Sequence, residues 1–141
     1  MRVVLDTNVL VSALLTSQGP SARVLNLILQ EAVAILIDER ILDEYQAVLK
    51  RPKFGFDEED VNELMEVIDQ MGEFVIATPL PFAIPDVSDL PFLEVALAGN
   101  ANVLITGNKK DYGKPPEPLK ILNPREFLDY QALKMDPLGK A

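Results

Sequence analysis

Val3-Val4-Leu5-Asp6-Thr7-Asn8 sets a carboxylate, a hydroxyl and an amide immediately after a short apolar run that opens at Arg2. Apolar residues in unbroken succession, rather than alternating with polar ones, suit a strand covered on both faces. Runs of strand length recur at Val33–Ile37, Phe74–Ala77, Asn102–Thr106 and Leu119–Leu122. Helical patterns lie at Ser21–Gln30, Ile41–Arg51, Glu58–Met71, Phe92–Ala98 and Pro124–Leu133. Strands alternating with helices predict an α/β fold, a three-layer α/β/α sandwich around a parallel sheet of roughly five strands. In such sheets function collects at the carboxyl ends of strands, near the point where strand order reverses. Asp6, closing the first run, stands where a catalytic acid is expected.

The chain of 141 residues has one domain's length, expected as a single domain over 1–133 with a C-terminal tail at 134–141. Hydrophobic residues at 48% and charged residues at 25% place it with globular proteins rather than disordered ones. It contains no His and no Cys. That excludes a disulfide framework, a thiolate nucleophile, a zinc site of the usual nitrogen and sulfur type, and acid-base catalysis by imidazole. Arg2 and the run behind it resemble the start of a leader, but Asp6 and Asn8 break the run, and no stretch approaches the roughly 20 apolar residues of a membrane span. The cytoplasm is the expected location. The Pro-bearing stretch Thr78–Pro91 reads as a long loop.

A net charge of −9 argues at first against a nucleic-acid partner. The distribution reverses that inference. Phe54 to Asn108 holds no Lys or Arg and eleven acids, which leaves 13 bases against 11 acids elsewhere. Much of the acidic stretch, Asp57 to Glu73, is most simply the solvated face of a helix whose other face carries Val61, Leu64, Met65 and Ile68. Global charge therefore says little about the site.

Four carboxylates on separate elements are candidates. Asp6 ends the first strand, where it or Thr7 would also serve as a helix cap. Glu44 lies at the edge of the apolar stripe Ile41, Leu42, Tyr45, Val48 and Leu49, while Asp43 points to water. Asp89 or Ser88 is a natural N-cap for the helix bearing Pro91 in its first turn. Asp111 follows the fourth strand and the turn Gly107-Asn108. Gathered at one sheet edge, these acids would repel, and a cation resolves the conflict. Oxygen ligands without His or Cys select Mg²⁺ or Mn²⁺, ions suited to hydrolysing a phosphodiester with an activated water.

Together these motifs resemble the PIN-domain family, specifically the VapC-like ribonucleases that form the toxin component of bacterial and archaeal toxin-antitoxin systems. The likeness is carried by Val3 to Ser12, by Ile41-Leu42-Asp43-Glu44-Tyr45 with Val48-Leu49 and Arg51 to Phe54, by Asp86 to Ala96, and by Leu104 to Asn108. It implies a Rossmann-like fold and metal-dependent cleavage of single-stranded RNA. Asp6, Glu44 and Asp89 match the family's metal-binding acids, and Asn8 and Thr106 its supporting polar residues. It also implies two partners, a cognate antitoxin and a second copy of the chain in a homodimer or larger assembly. Many PIN domains carry an acid two residues after Thr106, where this chain has Asn108. Asp111 is the expected replacement as an outer ligand acting through water, supported by Asn108, provided the intervening residues turn back.

Lys50, Arg51, Lys53, Lys109 and Lys110 flank two of the acid-bearing elements and are candidates for RNA phosphates. Arg51, seven residues after Glu44, is expected on the same helix side. Two competing readings remain. An aspartyl-phosphate phosphotransferase would use Asp6, Thr106 and Lys109, but the expected general acid two residues after the nucleophile is replaced by Asn8. A catalytically silent module would bind RNA or antitoxin without metal.

Overall fold

The computed structural model describes residues 1–80, 84 and 86–134. Five strands, β1 (Arg2–Leu5), β2 (Ala34–Ile37), β3 (Glu73–Phe74), β4 (Val103–Ile105) and β5 (Lys120–Leu122), form one sheet in the order β3-β2-β1-β4-β5. Every pairing is parallel. Strand order reverses between β1 and β4, so the switch-point crevice of an open α/β sheet opens beyond Leu5 and Ile105.

Consecutive side chains of a strand point to opposite faces. Val3, Val4 and Leu5, and likewise Val103, Leu104 and Ile105, are all fully buried, so both faces of the central strands are covered, as the unbroken apolar runs predict. At the two edges the pattern fails: Phe74 is exposed on β3 and Lys120 on β5, because an edge strand has less to pack against. The expected strand Phe74–Ala77 shrinks to Glu73–Phe74 for the same reason.

Among the described residues six helices flank the sheet: α1 (Thr7–Leu15), α2 (Pro20–Leu29), α3 (Glu39–Leu49), α4 (Glu58–Met71), α5 (Leu90–Ala98) and α6 (Pro124–Lys134). Helix α5 packs on β1, β2 and β4, and α6 on β4 and β5. Helix α2 bridges α1 to α6, and α3 touches α1, α4 and α5. Helix α1 is absent from the expected helical segments because its residues are apolar nearly all round, buried at Thr7, Val9, Leu10, Val11 and Ala13, so no 3.6-residue stripe stands out. The acidic helix follows expectation, with Val61, Met65 and Ile68 buried. Asp57, at its N-cap, accepts from the Asp60 N–H.

Helix α3 ends at Leu49, two residues short of the expected Arg51. Arg51 has extended backbone (φ −63°, ψ 131°) and leads into a 3-10 turn over Pro52–Phe54, so the helical spacing that would have put it on Glu44's side does not apply. The long loop Thr78–Pro91 is described only in part, and of the expected tail 134–141 only Lys134, the last residue of α6, falls within the described residues. No helix among the described residues is long and apolar enough to cross a membrane.

Candidate metal centre

Asp6 leaves β1 into the switch-point crevice, with its backbone N–H bonded to the Ile105 carbonyl at 2.9 Å. It occupies the N-cap position of α1, yet its carboxylate caps nothing. Its Oδ2 instead accepts from the Thr106 hydroxyl at 2.8 Å, the Tyr112 hydroxyl at 2.9 Å and, more weakly, the Asn8 amide at 3.4 Å. All three side-chain donors fall on Oδ2, and the Thr7 backbone N–H also acts on the carboxylate. Burial pushes the Asp6 carboxyl upward, against the pull of those donors.

Glu44 is brought to the same edge by its own helix. The hydroxyl of Tyr45, fully buried, donates to the Leu5 carbonyl at 2.5 Å and so pins α3 to the end of β1. One residue earlier, Glu44 sits half-buried and accepts from the Thr7 hydroxyl. Thr7 is thus an orienting donor, and α1 forms without a side-chain cap.

Asp89 begins α5 and is buried, with 8% exposure. Although placed at the N-cap, it makes no capping bond. Asp86 does the local capping, accepting from the Ser88 N–H at 2.9 Å and the Ser88 hydroxyl at 2.7 Å, and those bonds hold its carboxyl below the ordinary range. The Oδ2 of Asp89 is left buried with no hydrogen-bond partner among the described residues. Burial, with the charges of Asp6, Asp86, Asp111 and Glu44 behind it, pushes Asp89 up to about 7.

Beyond β4, Gly107 gives its N–H to Asn8 Oδ1 at 2.9 Å. A β-carbon there would stand 3.3 Å from that same oxygen, so the smallest residue suits the approach. The chain then turns back through a 3-10 turn over Lys109–Tyr112. That turn has two results. It brings Asp111 to the crevice, where the Asn108 amide donates to its Oδ2 at 2.9 Å, and it inserts the buried Tyr112 against Asp6. The Tyr112 hydroxyl stays protonated, held far above its ordinary range by burial and by Asp6 and Asp89.

The result is a cluster in which carboxylate oxygens of Asp86, Asp89 and Asp111 lie within 4.8 Å of one another. Asp6 and Glu44 stand outside that trio but near enough to act on the charge of Asp89. Asp86 and Tyr112 are the residues that sequence reasoning missed. Asp86 looked like loop chemistry, and Tyr112 had no periodicity to mark it as buried. Hard oxygen donors, mutually repelling carboxylates and one orphaned buried oxygen fit Mg²⁺ or Mn²⁺.

Among the basic candidates, the Lys109 ammonium is bonded to Glu126 at 2.9 Å and faces α6. Lys50 lies 3.7 Å from Glu58, and Lys53 sits over the Phe54 ring at 5.1 Å. Arg51 and Lys110 are exposed. Glu94, buried on α5, is held by Arg40 at 2.7 Å and by the Leu80 N–H at 3.2 Å, and so serves the packing of that helix.

Comparison with known proteins adds three observations. Residues 2–110 match the family model of the PIN domain. An uncharacterized protein of Methanocaldococcus jannaschii is 29% identical over 141 residues, covering 92% of this chain and 90% of its own length. A chain in the crystal structure of VapBC2 from Rickettsia felis, bound to a DNA fragment from their promoter, has the same fold: TM-score 0.58 at 20% identity, covering 86% of this chain and 98% of that one.

Proposed function

The chain belongs to the PIN domain family, and from that premise we propose that it is a Mg²⁺- or Mn²⁺-dependent endoribonuclease acting on single-stranded RNA as a VapC-like toxin. The observation that carries this is Asp89 Oδ2, a buried carboxylate oxygen without a partner among four other acids. An orphaned buried charge is costly, and a divalent cation is the simplest group that removes the cost. Asp6, Asp89 and Asp111 would hold the ion directly or through water, with Glu44 and Asp86 adding charge at its rim.

Such an ion supplies a polarised water and offsets charge on a phosphodiester. The protein's own groups do the rest. Thr106 and Tyr112 fix Asp6 by their bonds to its Oδ2. Thr7 orients Glu44, and Asn108 steadies Asp111. With no imidazole or thiol to activate a ribose 2′-oxygen, water is the nucleophile and the products are a 5′-phosphate and a 3′-hydroxyl. Against the phosphotransferase reading, Lys109, its expected cation, pairs with Glu126 on α6. A cognate antitoxin and self-association are part of the proposal, supported by the toxin-like motifs and by the fold shared with VapBC2.

Mn²⁺-dependent cleavage of a labelled single-stranded RNA, abolished by EDTA, tests the proposal. Asp6→Asn should remove the activity while leaving the circular dichroism spectrum unchanged. Wild-type cleavage by that variant, or cleavage that persists in EDTA, would sink it.

A further inference from the structure

A groove of about 610 Å³ runs from Asn8, Gly107 and Asn108, at the edge of the acid cluster, to the first turns of α2 and α6. Its lining departs from the rest of the chain. Among the described residues no acid lines it, and Arg125 is its one charged residue. Arg125 is exposed, and its guanidinium has no hydrogen bond or ion pair among the described residues. Ser21 also lines the groove while 93% buried, from an exposure of 7%, and its hydroxyl has no partner among the described residues. Helix α2 begins there with Gly19 at the N-cap and Pro20 in the first turn, so no side chain caps it. By contrast α6 is capped reciprocally: Asn123 accepts from the Glu126 N–H at 2.8 Å and Glu126 accepts from the Asn123 N–H at 2.9 Å.

A groove-lining serine with no hydroxyl partner among the described residues, an uncapped ten-residue helix start and a free guanidinium on the same groove together favour an anion. The groove's position beside the acid cluster identifies the anion. We propose that the groove seats a backbone phosphate of the substrate strand next to the scissile one, with Arg125 and Ser21 as its contacts, so that a polyanion reaches the acidic centre along an acid-free path. This rests on the nuclease reading. Arg125, on α6, lies beyond residue 110, where the match to the PIN domain stops, whereas Ser21 lies within it.

The test is steady-state cleavage of a single-stranded oligoribonucleotide in Mn²⁺, comparing wild type with Arg125→Ala, Arg125→Glu and Ser21→Ala. A charge-assisted phosphate contact made equally in ground and transition states predicts that Arg125→Ala raises KM about tenfold with kcat within about twofold, and that Arg125→Glu raises it further. Replacing backbone phosphates one at a time by neutral methylphosphonates should abolish the Arg125 effect at one position only. The Mn²⁺-induced rise in melting temperature should match wild type in each variant, which reports an intact fold and centre. An unchanged KM in both Arg125 variants, or an Arg125 effect spread evenly over every phosphate, overturns the groove while cleavage stands. If the wild type shows neither cleavage nor a Mn²⁺-induced rise, the nuclease reading falls and the groove assignment with it.

Discussion

Asp89→Asn should stabilise the metal-free protein and remove its response to metal. Burial and neighbouring carboxylates raise the Asp89 carboxyl from 3.8 to about 7 in the folded state. The folded protein therefore holds this proton more tightly than the unfolded chain does, and stability falls as pH rises from about 4 through about 7. A displacement of that size disfavours the ionised form by about 4 kcal/mol at pH 8 and by less than about 2 kcal/mol at pH 5. Asparagine carries no charge but leaves its own amide short of partners, which returns about 1–2 kcal/mol. The net gain at pH 8 is then about 2–3 kcal/mol, or a rise of roughly 5–10 °C in melting temperature for a domain of this size. The assay is thermal or urea unfolding of both proteins in EDTA at pH 8 and pH 5, repeated in Mn²⁺ at pH 8. In EDTA the variant should melt higher at pH 8, and that advantage should all but vanish at pH 5. In Mn²⁺ the wild type should gain stability that the variant does not. A variant less stable than wild type in EDTA at pH 8, or an advantage that grows on acidification, would refute the account of Asp89 as an uncompensated buried carboxylate.

Tyr112→Phe removes one of the two close hydroxyl donors to the buried Asp6 Oδ2 and should cost about 1–2 kcal/mol in urea unfolding; an unchanged midpoint would show that this bond is not formed in solution. Tyr45→Phe frees α3 from the Leu5 carbonyl, so cleavage should fall through the loosening of Glu44, and Mn²⁺ titration of activity should show a weaker apparent affinity. Asp111→Asn should raise the Mn²⁺ concentration for half-maximal cleavage, whereas Asn108→Asp, which adds charge beside the cluster, should lower it; the reverse order would exchange their roles. Because Lys109 is held by Glu126, Lys110→Glu should weaken RNA binding and flatten its salt dependence more than Lys109→Glu does, as fluorescence anisotropy against salt would read.

The sequence by itself determined the layers and most of the acids. Five short apolar runs and the helices between them sufficed for a parallel sheet covered on both sides, because residues such as Val3, Val4 and Leu5 have to be buried on whichever face they point to. The lack of His and Cys limited any metal to oxygen ligands before a coordinate was known. Asp6 was legible because an acid closing an apolar strand is hard to explain otherwise, and Glu44 because helical phase put it at the edge of a stripe. Local pattern could not supply what depends on residues distant in sequence. Helix α1 was hidden because six of its nine residues are apolar and little but Asn8 and Ser12 marks its exposed face, and Arg51 was misplaced because α3 stops at Leu49. That Tyr112 reaches Asp6 across 106 residues, and that α2 and α6 meet so that Ser21 and Arg125 line one groove, follow from chain reversals and helix packing. Only the tertiary structure decided those contacts, because each is a distance between elements whose separation along the chain carries no information about their separation in space.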